Sequence, residues 1–281
     1  MSKPALSFSI VTPSLNQGGW LQLCVASTGD QGPRVQHIVQ DAGSTDGTVT
    51  WIQADPRVEA RVEKDAGMYD AINRGLRRAK GDILAYLNCD EQYLPGALDR
   101  VADYFAAHPA VDMVFGNIIM VDESGEYLCH RKVQTPRLLH TWTCHLSTLS
   151  CAMFFRRRLI EPGGFFFNTD YRCGGDQEWM VRLLRSGVQM AALGEFTSVF
   201  TRTGSNLGRD PRAEAERAKL RATAPFWVRA GVPMWVMHHR LSRLLAGAYA
   251  QKPFEFALFT PSSPDRRVVR RVQKPVFRQS W

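Results

Sequence analysis

This 281-residue sequence lacks long apolar runs, paired cysteines and the glycine motifs of common nucleotide loops. No stretch of about 18 apolar residues occurs, which excludes a membrane-spanning helix. Met1 to Ala5 lead straight into a strand pattern rather than a charged and apolar leader, so the expected location is the cytoplasm. The six cysteines, Cys24, Cys89, Cys129, Cys144, Cys151 and Cys173, include no CxxC pair. Their scatter argues against a cysteine zinc site and a disulfide framework, and they read as reduced core residues. Neither GxGxxG nor GxxxxGK is present, which removes the usual dinucleotide and P-loop readings. There is no internal repeat and no low-complexity tract.

What is present is enough apolar material for a proper core, 44% of the chain, in one large domain or a domain with an appendage. The formal charge of +8 is unevenly placed. Residues 1–201 hold 19 Lys/Arg against 22 Asp/Glu, whereas residues 202–281 hold 16 against 5. We therefore divide the chain into a slightly acidic body, residues 1–205, and a basic amphipathic helical extension with a tail, residues 206–281. Such an extension suits an anionic membrane surface, nucleic acid or phosphorylated ligands.

The body reads as alternating strands and helices. Leu6 to Val11 form a strand that Pro13 ends, and a helix follows near Trp20 to Thr28. Val35 to Gln40 form a second strand that runs into Asp41, Ala42, Gly43, Ser44, Thr45, Asp46, Gly47 and Thr48. In that turn glycine allows close approach or positive φ, and Asp41 can accept from a base or ribose donor; equally, Ser44, Thr45 or Asp46 can cap the next helix. Val58 to Val62 form a third strand, followed by Asp65 and a helix with Met68, Ile72, Leu76 and Ala79 on one stripe and Asp70 in its first turn. Ile83 to Leu87 make a short apolar strand that ends in Asn88, Cys89, Asp90 and Glu91. Two adjacent carboxylates at the carboxyl end of a buried parallel strand repel each other unless a hard cation sits between them. Helix N-termini also favour acids, but recurrence after three successive strands exceeds that explanation.

Beyond this edge come a helix over Pro95 to Ala107, a strand from Asp112 and a hairpin over Asn117 to Lys132 turning at Glu123, Ser124 and Gly125. His140 and His145, five residues apart, do not suit two ligands on one helix face and read as ordinary polar residues. Arg156, Arg157 and Arg158 read as a solvated basic run. Gly174 and Gly175 open a helix on which Asp176 shares the buried side with Trp179 and Met180, making it either a general base or a cap of its own helix. In the extension, Pro211 to Thr223 and Met234 to Ala250 read as helices. The second is amphipathic, fit to lie at a membrane interface or to pack on the body. From Pro261 on, Arg266, Arg267, Arg270, Arg271, Lys274 and Arg278 form a basic tail.

Four separated motifs together resemble the family 2 glycosyltransferases, inverting enzymes of the GT-A fold: V-T-P-S-L-N-Q (Val11 to Gln17), D-A-G-S-T-D-G-T (Asp41 to Thr48), E-K-D-A-G-M-Y-D-A-I-N-R-G (Glu63 to Gly75) and Y-L-N-C-D-E (Tyr86 to Glu91). G-G-D-Q-E-W-M-V-R-L-L (Gly174 to Leu184) looks like the family's acceptor-side segment. The likeness covers about residues 6–200. It implies an α/β, mainly parallel Rossmann-like sheet flanked by helices, with the basic helical extension outside it.

The resemblance also implies roles. Pro13 and Asp41 would meet the nucleotide base, with Ser14, Asn16, Gly43 and Ser44 in the adjoining turns. Asp65 and Asp70 would line the donor pocket, and Asn88 and Asp90 would stand at the ribose and diphosphate. A divalent metal, Mn²⁺ or Mg²⁺, would sit at Asp90 and Glu91; the family's D-x-D reads here as Asn88, Cys89, Asp90, with Glu91 the last acid. Asp176 matches the catalytic base. A nucleotide-diphosphate sugar, UDP-linked by default, would donate to a saccharide or lipid-linked hydroxyl, with the extension at an anionic membrane face and no nucleic acid as partner. No covalent enzyme intermediate is required, so the absence of a GxSxG elbow or a Cys/His pair does not oppose it. Two other classes remain: a catalytically silent membrane-docked scaffold, and a nucleic-acid-binding protein that uses the basic extension.

Overall fold

A computed structural model describes residues 6–32, 34–204, 206 and 210–277; Met1 to Ala5, Ser205 and Arg278 lie outside them. The first part is the expected alternation: β1 (Phe8–Ser14), α1 (Gly18–Gly29), β2 (Val35–Asp41), α2 (Thr48–Ala54), β3 (Glu59–Val62), α3 (Met68–Arg78) and β4 (Ile83–Tyr86). β1 lies parallel between β2 and β4, and β3 pairs parallel with β2. The four carboxyl ends thus share one edge, and each delivers a loop to it. Pro13 does not end the ladder: β1 pairs with β2 through Ser14, while its pairing with β4 stops at Val11. Beyond Val11 the missing proline N–H faces a side on which, among the described residues, no strand pairs.

The second part adds β5 (Glu91–Tyr93), α4 (Ala97–Ala107), β6 (Met113–Val121), β7 (Tyr127–Arg131), α5 (Leu138–Thr143), β8 (Met153–Arg156), α6 (Gly175–Arg185) and β9 (Met190–Thr201). Among the described residues the nine strands form one sheet in the order β3-β2-β1-β4-β8-β6-β9-β5, with β7 hairpinned onto β6. This is a GT-A-type α/β architecture: the sheet carries helices on its faces, and Ile10, Tyr86, Phe115, Phe154, Phe155 and Trp179 are buried at its centre. Apolar burial of this kind contributes about 1.5–3 kcal/mol per large side chain. Arg156 and Arg158 are not a free basic face. Arg156 donates to the carbonyls of Phe105 and Val111, and Arg158 pairs with Asp112 at 2.6 Å.

The extension holds α7 (Pro211–Ala222), α8 (Phe226–Ala230), α9 (Val232–Leu245), β10 (Phe254–Thr260) and β11 (Ser263–Val272). The expected basic tail is instead the second strand of an antiparallel hairpin. Phe256, Leu258 and Val272 pack against Leu94, Ile119, Val121 and Val199 of the body. The Gln92 side chain donates to and accepts from the Phe259 backbone, both at 2.9 Å, and Arg267 reaches Asp30 at 2.6 Å and the Tyr93 carbonyl at 2.9 Å. Among the described residues no helix is long and apolar enough to cross a membrane.

Candidate active site

The loops at the shared strand edge and the start of α6 enclose a cleft of about 810 Å³. Pro13, Ser14, Asp65, Asn88, Asp90 and Asp176 all line it. Six of the residues chosen from the sequence thus meet in one place, although Pro13 and Asp176 are 163 residues apart.

The loops after β1 and β2 are tied to each other. Asp41 is fully buried: its Oδ1 accepts from the backbone N–H of Gly43 (2.9 Å) and Ser44 (2.7 Å), and its Oδ2 accepts from the Ser44 hydroxyl (2.7 Å). Gly43 sits at φ +99°, a conformation that favours glycine. The Asn16 N–H donates to Ser44 Oγ, and Asn16 Oδ1 accepts from the Thr45 N–H at 2.8 Å. Asp41, Asn16, Gly43 and Ser44 do not line the cleft; their polar groups fix the loop that borders it. Pro13, Ser14, Leu15, Gln17 and Ala42 form that wall. Asp70 likewise turns to its own helix, accepting from the Ala66 N–H (2.9 Å) and pairing with Arg74 (2.8 Å).

At the acidic edge the two carboxylates part company. Glu91 is completely buried behind the cleft, where Oε2 accepts from the Asn88 N–H (2.8 Å) and Oε1 from the Ser150 hydroxyl (2.6 Å). Asn88 Nδ2 donates to the same Ser150 Oγ at 3.2 Å. Glu91 thus holds Asn88 in place and, unlike Asp90, does not line the cleft. Burial, then the neighbouring Asp90 charge, raise the Glu91 carboxyl, and burial also raises Asp90. Asp90 Oδ2 accepts from Asn206 Nδ2 at 2.8 Å. Asn88 Oδ1 is buried with no hydrogen-bond partner among the described residues, an unusual state for a buried amide oxygen.

Asp176 stands in the first turn of α6. Its Oδ1 accepts from the Gln177 N–H at 3.0 Å and lies 3.4 Å from the Tyr69 hydroxyl, which accepts from the Asp176 N–H at 3.2 Å. Burial raises the Asp176 carboxyl, more than these hydrogen bonds lower it. The Tyr69 ring is the reason for glycine at 175: a Cβ there would come within 2.6 Å of the ring. Just upstream, the N–H groups of Arg172, Cys173 and Gly174 all donate to the Glu216 carboxylate of α7, at 2.7, 3.0 and 2.7 Å.

Residues 9–162 match the sequence model of Glycosyl transferase family 2. The chain belongs to this family. It is a glycosyltransferase by that membership, and Asp176 lies past the matched stretch. The PGL/p-HBAD biosynthesis glycosyltransferase of Mycobacterium tuberculosis is 32% identical over 183 residues, 62% of this chain and 68% of that one. The amylovoran biosynthesis glycosyltransferase AmsE of Erwinia amylovora is 25% identical over 117 residues, 41% of this chain and 44% of its own. The fold is similar to that of S. aureus TarS 1-349 in complex with UDP-GlcNAc, with a TM-score of 0.64 at 18% identity over 85% of this chain and 74% of that one.

Several residues of this family 2 cleft carry no motif signal. Arg131, at the end of β7, and Arg217 and Asn206, from the extension, line it with Tyr69, Tyr86 and His145. Arg217 and Asn206 belong to the basic extension, yet they line the cleft, and Glu216 beside Arg217 holds the turn before Asp176. Tyr69 lies inside the third motif, between Asp65 and Asp70.

Proposed function

We propose that the protein is an inverting transferase that moves a sugar from a nucleotide-diphosphate sugar to a hydroxyl acceptor, with Asp176 as general base. The observation that carries this reading is the convergence of Asp65, Asn88, Asp90 and Asp176 on one cleft, Asp176 from the start of α6 and the others from strand-edge loops. UDP is the nucleotide of choice because structures of the fold neighbour TarS hold UDP-GlcNAc and UDP.

The acceptor oxygen attacks the anomeric carbon opposite the diphosphate, forming the new C–O bond as the old one breaks. Asp176 takes the hydroxyl proton, and the nucleoside diphosphate leaves. Burial raises the basicity of that carboxylate, while the Gln177 N–H and the Tyr69 hydroxyl fix its direction. Arg131 and Arg217 bring positive charge to the cleft wall. The residues present fit a divalent cation, Mn²⁺ or Mg²⁺, with Asn88 Oδ1 and the Asp90 carboxylate as the oxygens that would hold it. Bound there, such an ion supplies charge neutralisation for the diphosphate.

The acceptor side of the reading is a lipid-linked or polysaccharide precursor met at an anionic membrane face. α8 and α9 support it, because their large apolar residues face outward: Phe226 is 77% exposed, Trp227 62%, Met237 65% and Leu245 79%. Arg229 and Arg240 flank them, also exposed. This pattern suits an interfacial helix pair.

The first test is a thermal-shift series with UDP, GDP, dTDP and CMP, each with and without Mn²⁺, on the wild type and Asp90→Asn. A diphosphate-specific, Mn²⁺-dependent rise that Asp90→Asn loses supports the donor site; a flat response in the wild type overturns it. For the membrane face, the full chain should pellet with anionic vesicles, and Met237→Glu with Leu244→Glu should abolish pelleting. Equal pelleting of both proteins removes that part.

A further inference from the structure

We propose that His140, His145 and His239 form a site for a nitrogen-preferring divalent cation of the zinc class, joining the catalytic body to the C-terminal helices. The three come from separate elements: α5, the loop after it, and α9. One ring nitrogen from each lies within 4.8 Å of the other two. The ring centroids of His140 and His239 are 4.0 Å apart, and those of His140 and His145 are 4.6 Å apart. The five-residue spacing of His140 and His145 hid this arrangement, because the third ligand arrives from almost a hundred residues further on.

Ordinary core packing does not account for the cluster. His140 and His239 are only 4% and 7% exposed, and Nε2 of each is buried with no hydrogen-bond partner among the described residues. Buried imidazole nitrogens are normally bonded. The orientation of α9 adds a second argument. This helix turns Met237, Leu241 and Leu244 to solvent and buries His239 and Arg243 instead. A helix that exposes its apolar side and buries imidazole requires a polar partner on the inside.

Neutral imidazole is the form that ligates metal. Arg137, Arg131 and Arg243 also face the cluster and add positive charge. They disfavour a bare dication and favour one that carries an anionic fourth ligand. Three histidines with an open fourth position are a familiar zinc arrangement. His145 and Arg131 both line the cleft, so the three-histidine cluster borders it. The donors here are nitrogens, whereas Asn88 and Asp90 offer oxygens, so the two sites would take different ions.

The test uses full-length protein freed of metal with EDTA and titrated with Co²⁺ alone as a spectroscopic probe. The expected result is one equivalent bound with the intense visible bands of a four-coordinate ion, displaced by Zn²⁺ and accompanied by a rise in Tm. His145→Gln, a change at an exposed position that leaves the fold intact by circular dichroism, and His239→Gln should each weaken binding at least tenfold. Asp90→Asn should leave the bands unchanged, so loss of donor binding and loss of this site are read separately. The inference is overturned if the wild type and His145→Gln bind Co²⁺ alike, if the bands vanish in Asp90→Asn, or if inorganic phosphate raises Tm where Zn²⁺ and Co²⁺ do not, which would mark an anion site.

Discussion

Glu216 on α7 accepts a 2.7 Å hydrogen bond from the N–H of Gly174, two residues before Asp176. It takes two more from the N–H groups of Arg172 and Cys173. A carboxylate from the extension thus clamps the turn that aims the proposed base. Hydrogen bonds to a charged acceptor contribute about 1.5–3 kcal/mol, and here three donors lose their partner together. Glu216→Ala should lower stability by roughly 2 kcal/mol and reduce kcat about tenfold or more. Glu216→Gln, which keeps one accepting oxygen, should fall between. Urea denaturation and steady-state kinetics measure both; wild-type kcat in Glu216→Ala would show that the clamp does not position Asp176.

Asp176 itself gives a prediction with two signs. A general base works ionised, and burial raises this carboxyl above the ordinary aspartate range. The acid limb of kcat/KM should therefore lie at a higher pH than an exposed aspartate would give. Asp176→Asn should lose about 10²–10⁴-fold in rate and still bind nucleotide. For stability, a raised folded-state pKa favours the neutral carboxyl, and that favourable contribution is lost as pH rises through the folded value. Asp176→Asn should therefore melt at a higher temperature than wild type at neutral pH. A lower Tm would mean that the ionised carboxylate is held by favourable contacts rather than burdened by burial.

Much of this site was legible because its acids stand at strand ends, and a parallel sheet brings those ends together. Asp65 and Asp90 follow from that rule, whereas Asp176 is read from its place on the buried side of a helix opened by two glycines. What the rule does not reveal is which acid is consumed locally. Asp41 and Glu91 have the same chemistry and neighbourhood, but one ties its own turn and the other fixes Asn88 through Ser150. Such pairings depend on atoms brought from up to 59 residues away. The extension was harder still. Ser263 to Val272 reads as a charge run, yet its valines and the distant Asp30, partner of Arg267, make it a strand on the body.

The division of labour between Asp90 and Glu91 can be measured. Glu91→Gln preserves shape and can still bond Asn88 and Ser150, so the Mn²⁺-dependent thermal shift with nucleotide should survive it. Asp90→Asn should abolish that shift, and Asn88→Ala should reduce it. Glu91→Ala leaves the Asn88 N–H unpaired in the interior and should lower stability by about 1–3 kcal/mol. If Glu91→Gln lost the Mn²⁺ dependence as completely as Asp90→Asn, Glu91 would be a ligand that reaches the ion by a local rearrangement.

His37 supplies a test of the strand pair on which the nucleotide-side loops rest. It lies on β2 opposite Ile10, is 3% exposed, and shares a 2.9 Å hydrogen bond between its Nε2 and Thr12 Oγ1. Burial lowers its pKa to about 3. The folded state therefore keeps the ring neutral, while the unfolded chain takes up a proton near 6.5. The stability from His37 is fully present above pH 6.5 and is lost as pH falls toward 3, on the order of 2 kcal/mol by pH 5. His37→Gln removes this titration and can keep a hydrogen bond to Thr12, so its loss of stability between pH 7 and pH 5 should be smaller than wild type by that amount. Other buried histidines titrate in both proteins and cancel in the comparison. Equal losses in the two would mean that acid opens the β1–β2 ends, and the Ser14 and Asp41 loops with them, before His37 is reached.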